Sequence, residues 1–465
     1  MPQPRTWQLT AGSAALGLVL AAVAVTAAGP WDGGQRTAER ARAAAPAAGG
    51  TRHAPAPAPA APRRPAPAPS APGVLTALHA PAPAARPADL AAALVPLLAD
   101  PGLGPLRTAS VVDTATGRQL YGEGAGTPMT PASTVKIATV AAALSALGTD
   151  HRIATTATAA PDGRTVTLTG GGDPTLDPPR LAALAADTAR ALTKRGHTSV
   201  RLTYDTHLYQ GPELHPIGPN ENIAPVVALM TDEGRLDDSR SGPAPRTADP
   251  AGDTARAFAG LLARNGVQVT GDPEPGRTPK AAPLARTYSA PLADLAERTL
   301  THSDNDLAEA LARQTALAHK RPASFQGAER AVRDEIARLG LPVTGARFAD
   351  GSGLDRRDRV SATLLTGLLT RAADPTRPAL RPLLTGLPVG GFTGTLAGRY
   401  DTGSPGAGLV RAKTGTLTGV NTLAGTVVTP DGRLLAFAFL AARTPSPYEA
   451  QPALDRLSTA LAKSG

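Results

Sequence analysis

The sequence predicts an α/β (α+β) fold in which a central antiparallel sheet, flanked by helices, is interrupted by an inserted β-rich domain. Three observations lead to it. An almost wholly apolar run at residues 137–147 stops at Gly148 and reads as a buried central helix. Strand patterns fall at both ends of the folded region, with helical patterns between them. From about residue 152 to 287 the chain changes to short Thr/Val-rich strands with many Gly and Pro.

In chain order, residues 6–31 carry no charge, and 9–29 are mainly Ala, Val, Leu and Gly. Twenty-one helical residues span about 31 Å, enough to cross a membrane, whereas a cleaved signal has an apolar region of about 7–15 residues. The expectation over 1–32 is an export segment retained as a membrane anchor, with Ala24, Ala27 and Ala28 leaving cleavage open. Residues 33–88 form a disordered Ala/Pro-rich stem: 12 Pro lie between 46 and 87, which suits an extended polyproline spacer. The first part of the larger folded domain, 89–151, holds a helix at 88–98, strands at 108–113 and 118–121 around a 114–117 turn, and the apolar helix. The inserted domain, 152–287, holds strands at 165–169 and 199–204 and a helix at 251–265. The second part of the larger domain, 288–465, holds helices at 292–301 and 306–317, strands at 409–413, 422–429 and 434–441, and a last helix at 448–463.

Charge and composition remove several function classes. Of a net charge of +9 over 465 residues, +6 belongs to residues 33–88, where seven Arg face only Glu39. The head is nearly balanced, and its 3% aromatics are not interleaved with the stem's arginines, so nucleic acid is not an expected partner. With no cysteine there are no disulfides, thiolate nucleophiles or Cys-ligated metals. Eight His include no His-Glu-x-x-His, and Gly170–Gly172 precede no Lys-Ser/Thr, so neither a metal nor a phosphate-bearing cofactor is expected.

Two scarce residue types point to chemistry. Only six of 47 basic residues are Lys, and only five residues (220, 222, 265, 305, 421) are Asn. Arg keeps its proton, whereas a desolvated Lys can surrender it and act as a base. Lys136 follows Ser133 by three residues in Pro131-Ala-Ser-Thr-Val-Lys136, which puts both on one helix face. That pairs a hydroxyl nucleophile with its own base; a capping serine and a snorkelling lysine fit the same residues. Ser303-Asp304-Asn305 sits between two helical patterns, offering a proton-relaying hydroxyl and an amide for a peptide carbonyl, and equally an N-cap. Lys413-Thr414-Gly415-Thr416 falls at a strand end. A cation, two hydroxyls and a small residue against which a ligand backbone can lie suit a substrate ending in carboxylate; an edge-protecting lysine is the bland reading.

The ordered set Ser-x-x-Lys, Ser-x-Asn, Lys-Thr-Gly is shared by class A β-lactamases and penicillin-binding proteins. The chain resembles more particularly the low-molecular-mass class C penicillin-binding proteins, the D-alanyl-D-alanine carboxypeptidase/endopeptidases of serine peptidase family S13. The further phrases that carry the resemblance are Gly170-Gly-Gly-Asp173-Pro-Thr-Leu, Ala224-Pro-Val-Val-Ala-Leu-Met230 with Glu233-Gly-Arg235, Asp350-Gly-Ser-Gly-Leu354, and Leu387-Pro-Val with Gly394-Thr-Leu. It covers about 89–465.

The resemblance implies a β-lactamase/transpeptidase-like catalytic domain. It implies that Ser133 attacks the carbonyl between two D-alanines while Lys136 takes its proton, that Ser303 relays a proton to the leaving amine, and that Asn305 binds the peptide carbonyl. Lys413 would supply positive field near the terminal carboxylate, Thr414 and Thr416 would touch that carboxylate beside Gly415, and the backbone N–H groups of Ser133 and Thr416 would form the oxyanion hole. The implied partners are peptidoglycan stem peptides ending in D-Ala-D-Ala and β-lactam antibiotics, met outside the cytoplasmic membrane. One departure is the 170-residue gap from Ser133 to Ser303, short for two nested inserts, so a single insert is expected and substrate shaping around the cleft differs.

Three rival readings remain. A serine β-lactamase shares the motifs, but the class A deacylating Glu-x-x-Leu-Asn phrase is absent. A Ser-His-Asp hydrolase lacks a Gly-x-Ser-x-Gly elbow. An inactive wall-binding protein would fit the anchor, stem and head, and the three intact motifs argue against it.

Overall fold

A computed structural model describes residues 87–277, 281–401 and 403–464. The expected apolar anchor and nearly all of the Pro-rich stem lie outside the described residues. In chain order the elements are α1 (Pro87–Leu98), β1 (Leu106–Asp113), β2 (Gln119–Glu123), α2 (Lys136–Leu147), β3 (Ala154–Ala159), β4 (Thr165–Thr169), α3 (Pro178–Lys194) and β5 (Ser199–Asp205). They continue with α4 (Pro250–Arg264), β6 (Gln268–Val269), β7 (Glu274–Pro275), β8 (Ala282–Tyr288), α5 (Leu292–Thr301), α6 (Asn305–Ala318) and α7 (Phe325–Arg338). The last are α8 (Ala362–Ala373), β9 (Val410–Leu417), β10 (Val420–Val428), β11 (Leu434–Ala442) and α9 (Pro447–Lys463). Among the described residues no helix is long and apolar enough to cross a membrane.

Five antiparallel strands form one sheet in the order β2-β1-β11-β10-β9. Residues from the two ends of the described chain thus share a sheet, Leu106 opposite Ala442 and Asp113 opposite Leu435. β11 reads as a continuous apolar run, as a strand covered on both faces must. Leu435, Phe437, Phe439 and Ala441 pack with α1 and α9, whereas Ala436, Ala438 and Leu440 join the core built by α2 and α8. Small residues on that second side let α2 come close to the sheet, and its residues from Lys136 to Leu144 are all buried.

A second, six-stranded sheet is built entirely from residues 154–288, in the order β6-β5-β4-β3-β8 with β7 on β5. It is mixed: β3 pairs antiparallel with β4 and β8, whereas β5 runs parallel to β4 and β6. Parallel neighbours need crossovers, and α3 and α4 supply them. The sequence reading found α4 and passed over α3, although Asp177 caps it through Arg180 N and Pro178 and Pro179 open it.

Two details near the motifs differ from expectation. Ser133 lies not in the apolar helix but in a separate 3₁₀ turn, Ala132–Val135, that leads into α2 at Lys136. The Lys413–Thr416 phrase lies inside β9 rather than at its end, because Thr416 still pairs with Asn421 of β10.

Candidate active site

Three elements converge on one cleft of about 370 Å³. Its lining includes Ser133 from the 3₁₀ turn, Ser303 and Asn305 from the start of α6, and Thr414 and Thr416 from β9. Lys136 and Lys413 lie beneath it, each 0% exposed. The structure therefore brings all the sequence-expected residues together.

The local backbone is held under tension at two points. Ala132 and Ser303 adopt φ of +47° and +58°, a left-handed conformation that costs a non-glycine residue about 1–2 kcal/mol. Ala132 is wholly buried, and Gly353 packs against it: a Cβ on Gly353 would lie 2.1 Å from Ala132 O and 2.9 Å from Ser133 N. Gly415 works in the same way from the other side. A Cβ there would come within 2.2 Å of Thr422 Oγ1 and 2.7 Å of Pro131 O. Its smallness thus admits the turn carrying Ser133, where the sequence reading assigned that space to a ligand backbone.

Lys136 Nζ is surrounded by three oxygens: Ser133 Oγ at 2.9 Å, Asn305 Oδ1 at 2.7 Å and the Ser352 carbonyl at 2.6 Å. Burial drives its pKa down to about 8, against the opposing pull of Asp350, Asp304, Glu309 and Asp358. A neutral amine here has two N–H groups for the two carbonyl-type acceptors and one lone pair for the Ser133 hydroxyl. Lys413 is held well below its ordinary pKa by burial and by the Lys136 charge, and it donates to Thr414 O at 2.8 Å.

The other side chains are partly committed. Asn305 Nδ2 donates to Asn222 O at 2.9 Å, leaving its second N–H for the cleft. Thr414 Oγ1 donates to Thr395 Oγ1 at 2.8 Å, and Gln451 Nε2 reaches Thr416 Oγ1 at 3.5 Å. Asp304 is the N-cap of α6, accepting from Leu307 N at 3.0 Å, while Arg298 Nε meets its other oxygen at 3.1 Å. The capping reading is thus realised by Asp304, while Ser303 and Asn305 line the cleft. Behind Asp304, burial and the Asp304 carboxylate push the Glu233 pKa up, whereas Arg298 and the Leu307 N–H help hold the Asp304 carboxyl below its ordinary range.

Two buried groups bring three ionisable side chains within 4.8 Å of one another, His215–Glu309–Asp350 and Glu233–Asp304–Asp306. Their oxygens are engaged by histidine, arginine or backbone donors, so both are polar networks that brace the cleft. Sequence reasoning missed Asn222, Arg235 and Arg246 in the cleft wall. Asn222 meets Asn305 through its backbone carbonyl, so its residue type carried no signal. Ser352, within the Asp350-Gly-Ser-Gly-Leu354 phrase, is 0% exposed and meets Lys136 through its backbone carbonyl.

A family model described as the D-Ala-D-Ala carboxypeptidase 3 (S13) family matches residues 90–244 and 237–461. Carboxypeptidase DacB of Mycolicibacterium smegmatis is 39% identical over 387 residues, covering 79% of this chain and 83% of that protein. The D-alanyl-D-alanine carboxypeptidase of Actinomadura sp. is 32% identical over 444 residues, covering 76% and 81%. Among solved structures, penicillin binding protein 4 (dacB) of Haemophilus influenzae superposes with a TM-score of 0.66 at 22% identity, covering 81% of this chain and 99% of that one. The same protein complexed with a β-lactam gives 0.63. The chain therefore belongs to the D-Ala-D-Ala carboxypeptidase 3 (S13) family of serine carboxypeptidases and shares the fold of penicillin binding protein 4.

Proposed function

We propose that this protein removes the terminal D-alanine from peptidoglycan stem peptides through an acyl-enzyme on Ser133, and that β-lactams acylate the same serine. The observation that carries the reading is the 2.9 Å contact between Lys136 Nζ and Ser133 Oγ, with the remaining Nζ directions taken by Asn305 and Ser352. Lys136 accepts the Ser133 proton as Oγ attacks the carbonyl carbon, and the C–N bond breaks as Ser303 passes a proton to the leaving amine. The backbone N–H groups of Ser133 and Thr416 receive the oxyanion, a kind of donor whose loss costs about 3–4 kcal/mol. The free Asn305 N–H holds the peptide carbonyl, and Lys413, Thr414 and Thr416 hold the terminal carboxylate. Water then hydrolyses the ester and restores Ser133.

Residues 152–287 are read as a domain inserted into a catalytic domain made of 89–151 and 288–465. The N-terminal apolar segment and stem would hold this head outside the membrane, where the peptidoglycan that such carboxypeptidases trim is found. Cross-linked peptides share the same acyl donor and differ in the leaving strand, so endopeptidase cleavage follows the same chemistry once that strand is accommodated beside the wall formed by Arg235, Pro243 and Arg246.

Incubation with a defined pentapeptide ending in D-Ala-D-Ala tests the reading. Stoichiometric release of D-alanine, abolished in Ser133→Ala, is expected. Multiple turnovers of a penicillin per minute would replace it by a β-lactamase, and an inert protein would leave only wall binding.

A further inference from the structure

Lys136 is the base of the proposed reaction, and one of its three oxygens is a backbone carbonyl whose position must be fixed by something else. The Ser352 carbonyl belongs to the 350–355 turn, which is wound around a buried carboxylate. Asp350 Oδ1 accepts from Gly353 N at 2.6 Å, and Oδ2 accepts from Asp355 N at 2.8 Å and from Ser352 Oγ at 3.0 Å. Glu309 Oε1 on α6 accepts from Gly351 N and Ser352 N at 2.9 and 3.0 Å. With both amides pinned, the Ser352 carbonyl is directed at Lys136 Nζ.

Besides the nearby Asp358 carboxyl, one partner of Asp350 comes from far away in the chain. His215, on the loop that follows β5, lies 135 positions before it, is 3% exposed, and places Nε2 2.9 Å from Asp350 Oδ2. Its Nδ1 faces Ile217 N at 3.3 Å. Because that N–H can only donate, Nδ1 is the acceptor and the ring proton sits on Nε2, aimed at Asp350. Phe325 of α7 holds the ring edge-to-face at 5.4 Å and 81°. The loop therefore reaches into the floor of the cleft through a single directed hydrogen bond.

We infer that His215 is a positioning residue for Lys136: by donating to Asp350 it locks the 350–355 turn so that the Ser352 carbonyl orients the lysine's lone pair toward Ser133. The inference rests on the acyl-enzyme reading of Ser133. The ionisable groups around the pair are Asp350 and Asp355 on the turn, Asp358 just after it, Glu309 and Arg313 on α6, Asp304 before α6 and Lys413 on β9; burial and the Asp350 charge push the Asp358 carboxyl well above its ordinary range. Burial disfavours a charged imidazole, but the Asp350 hydrogen bond and the Glu309 carboxylate outweigh it and raise the His215 pKa. Removing the donor takes away the N–H dipole that offsets the Asp350 carboxylate, whose field favours the Lys136 ammonium form.

Gln and Met have similar volumes and differ chiefly in the donor, so His215→Gln and His215→Met separate the hydrogen bond from packing. The rate of acylation of Ser133 by a fluorescent penicillin is followed from pH 6 to 10, with thermal unfolding of each variant. His215→Met should lose about tenfold or more of the limiting rate, and its acid limb should move up by about half a pH unit or more. His215→Gln should recover most of both. An unmoved limb in His215→Met, or equal losses in the two variants, overturns the inference and leaves His215 a packing residue. If His215→Met does not fold, His215→Phe takes its place against His215→Gln. A wild-type chain unlabelled at Ser133 overturns the acyl-enzyme reading itself, an outcome distinct from normal labelling with indifferent His215 variants.

Discussion

Asn305 and Lys136 are joined at 2.7 Å, Oδ1 to Nζ, and this contact ties the start of α6 to the start of α2. It makes the asparagine a partner of the base as well as a candidate contact for substrate. Asn305→Asp would put a carboxylate beside the amine and stabilise its ammonium form. The acid limb of Ser133 acylation should move up by about 1–3 pH units, measured as rate against pH; a limb that stays in place would show that Lys136 is not the titrating base.

In the wild-type chain the same limb reports Lys136 directly. Its pKa is pushed down to about 8, so the neutral fraction, and with it the acylation rate, should rise about tenfold between pH 7 and 9. A flat profile over that range would contradict the role given to the amine.

Lys136→Arg keeps a cation but removes the capacity to accept a proton. Acylation should fall by about 10²–10⁴-fold, with some loss of melting temperature from the bulkier buried side chain. Labelling within a few-fold of wild type in a folded variant would contradict a lysine base.

Gly415→Ala tests the packing beneath Ser133. Its Cβ would meet Thr422 Oγ1 at 2.2 Å and Pro131 O at 2.7 Å, so β9 must shift away from the 3₁₀ turn. Destabilisation of about 1–3 kcal/mol is expected, together with slower acylation; unchanged unfolding and labelling would show that the strand has room to spare.

The sequence made the central sheet legible because β11 is an apolar run and β1 and β10 are rich in Val and Thr next to turns, and the motif residues legible because Lys and Asn are rare in this chain. What it concealed has physical reasons. β3 is made only of Ala and Thr, β8 mixes Ala, Pro and Arg with few apolar residues, and the two pair across more than a hundred residues, so neither shows a strong strand pattern alone. Helices α3, α7 and α8 were passed over despite caps at Asp177, Ser324 and Ser361. The Ser352 and Asn222 carbonyls act through the backbone, which no residue type announces, and His215 meets Asp350 only because the chain folds back on itself.

The central claim is that Ser133 is the nucleophile, and a peptide map after reaction with a fluorescent penicillin tests it most directly. A mass addition of one penicillin on the peptide containing Ser133, absent in Ser133→Ala, is the predicted result; a modified Ser303 or Ser352 with Ser133 untouched would contradict it.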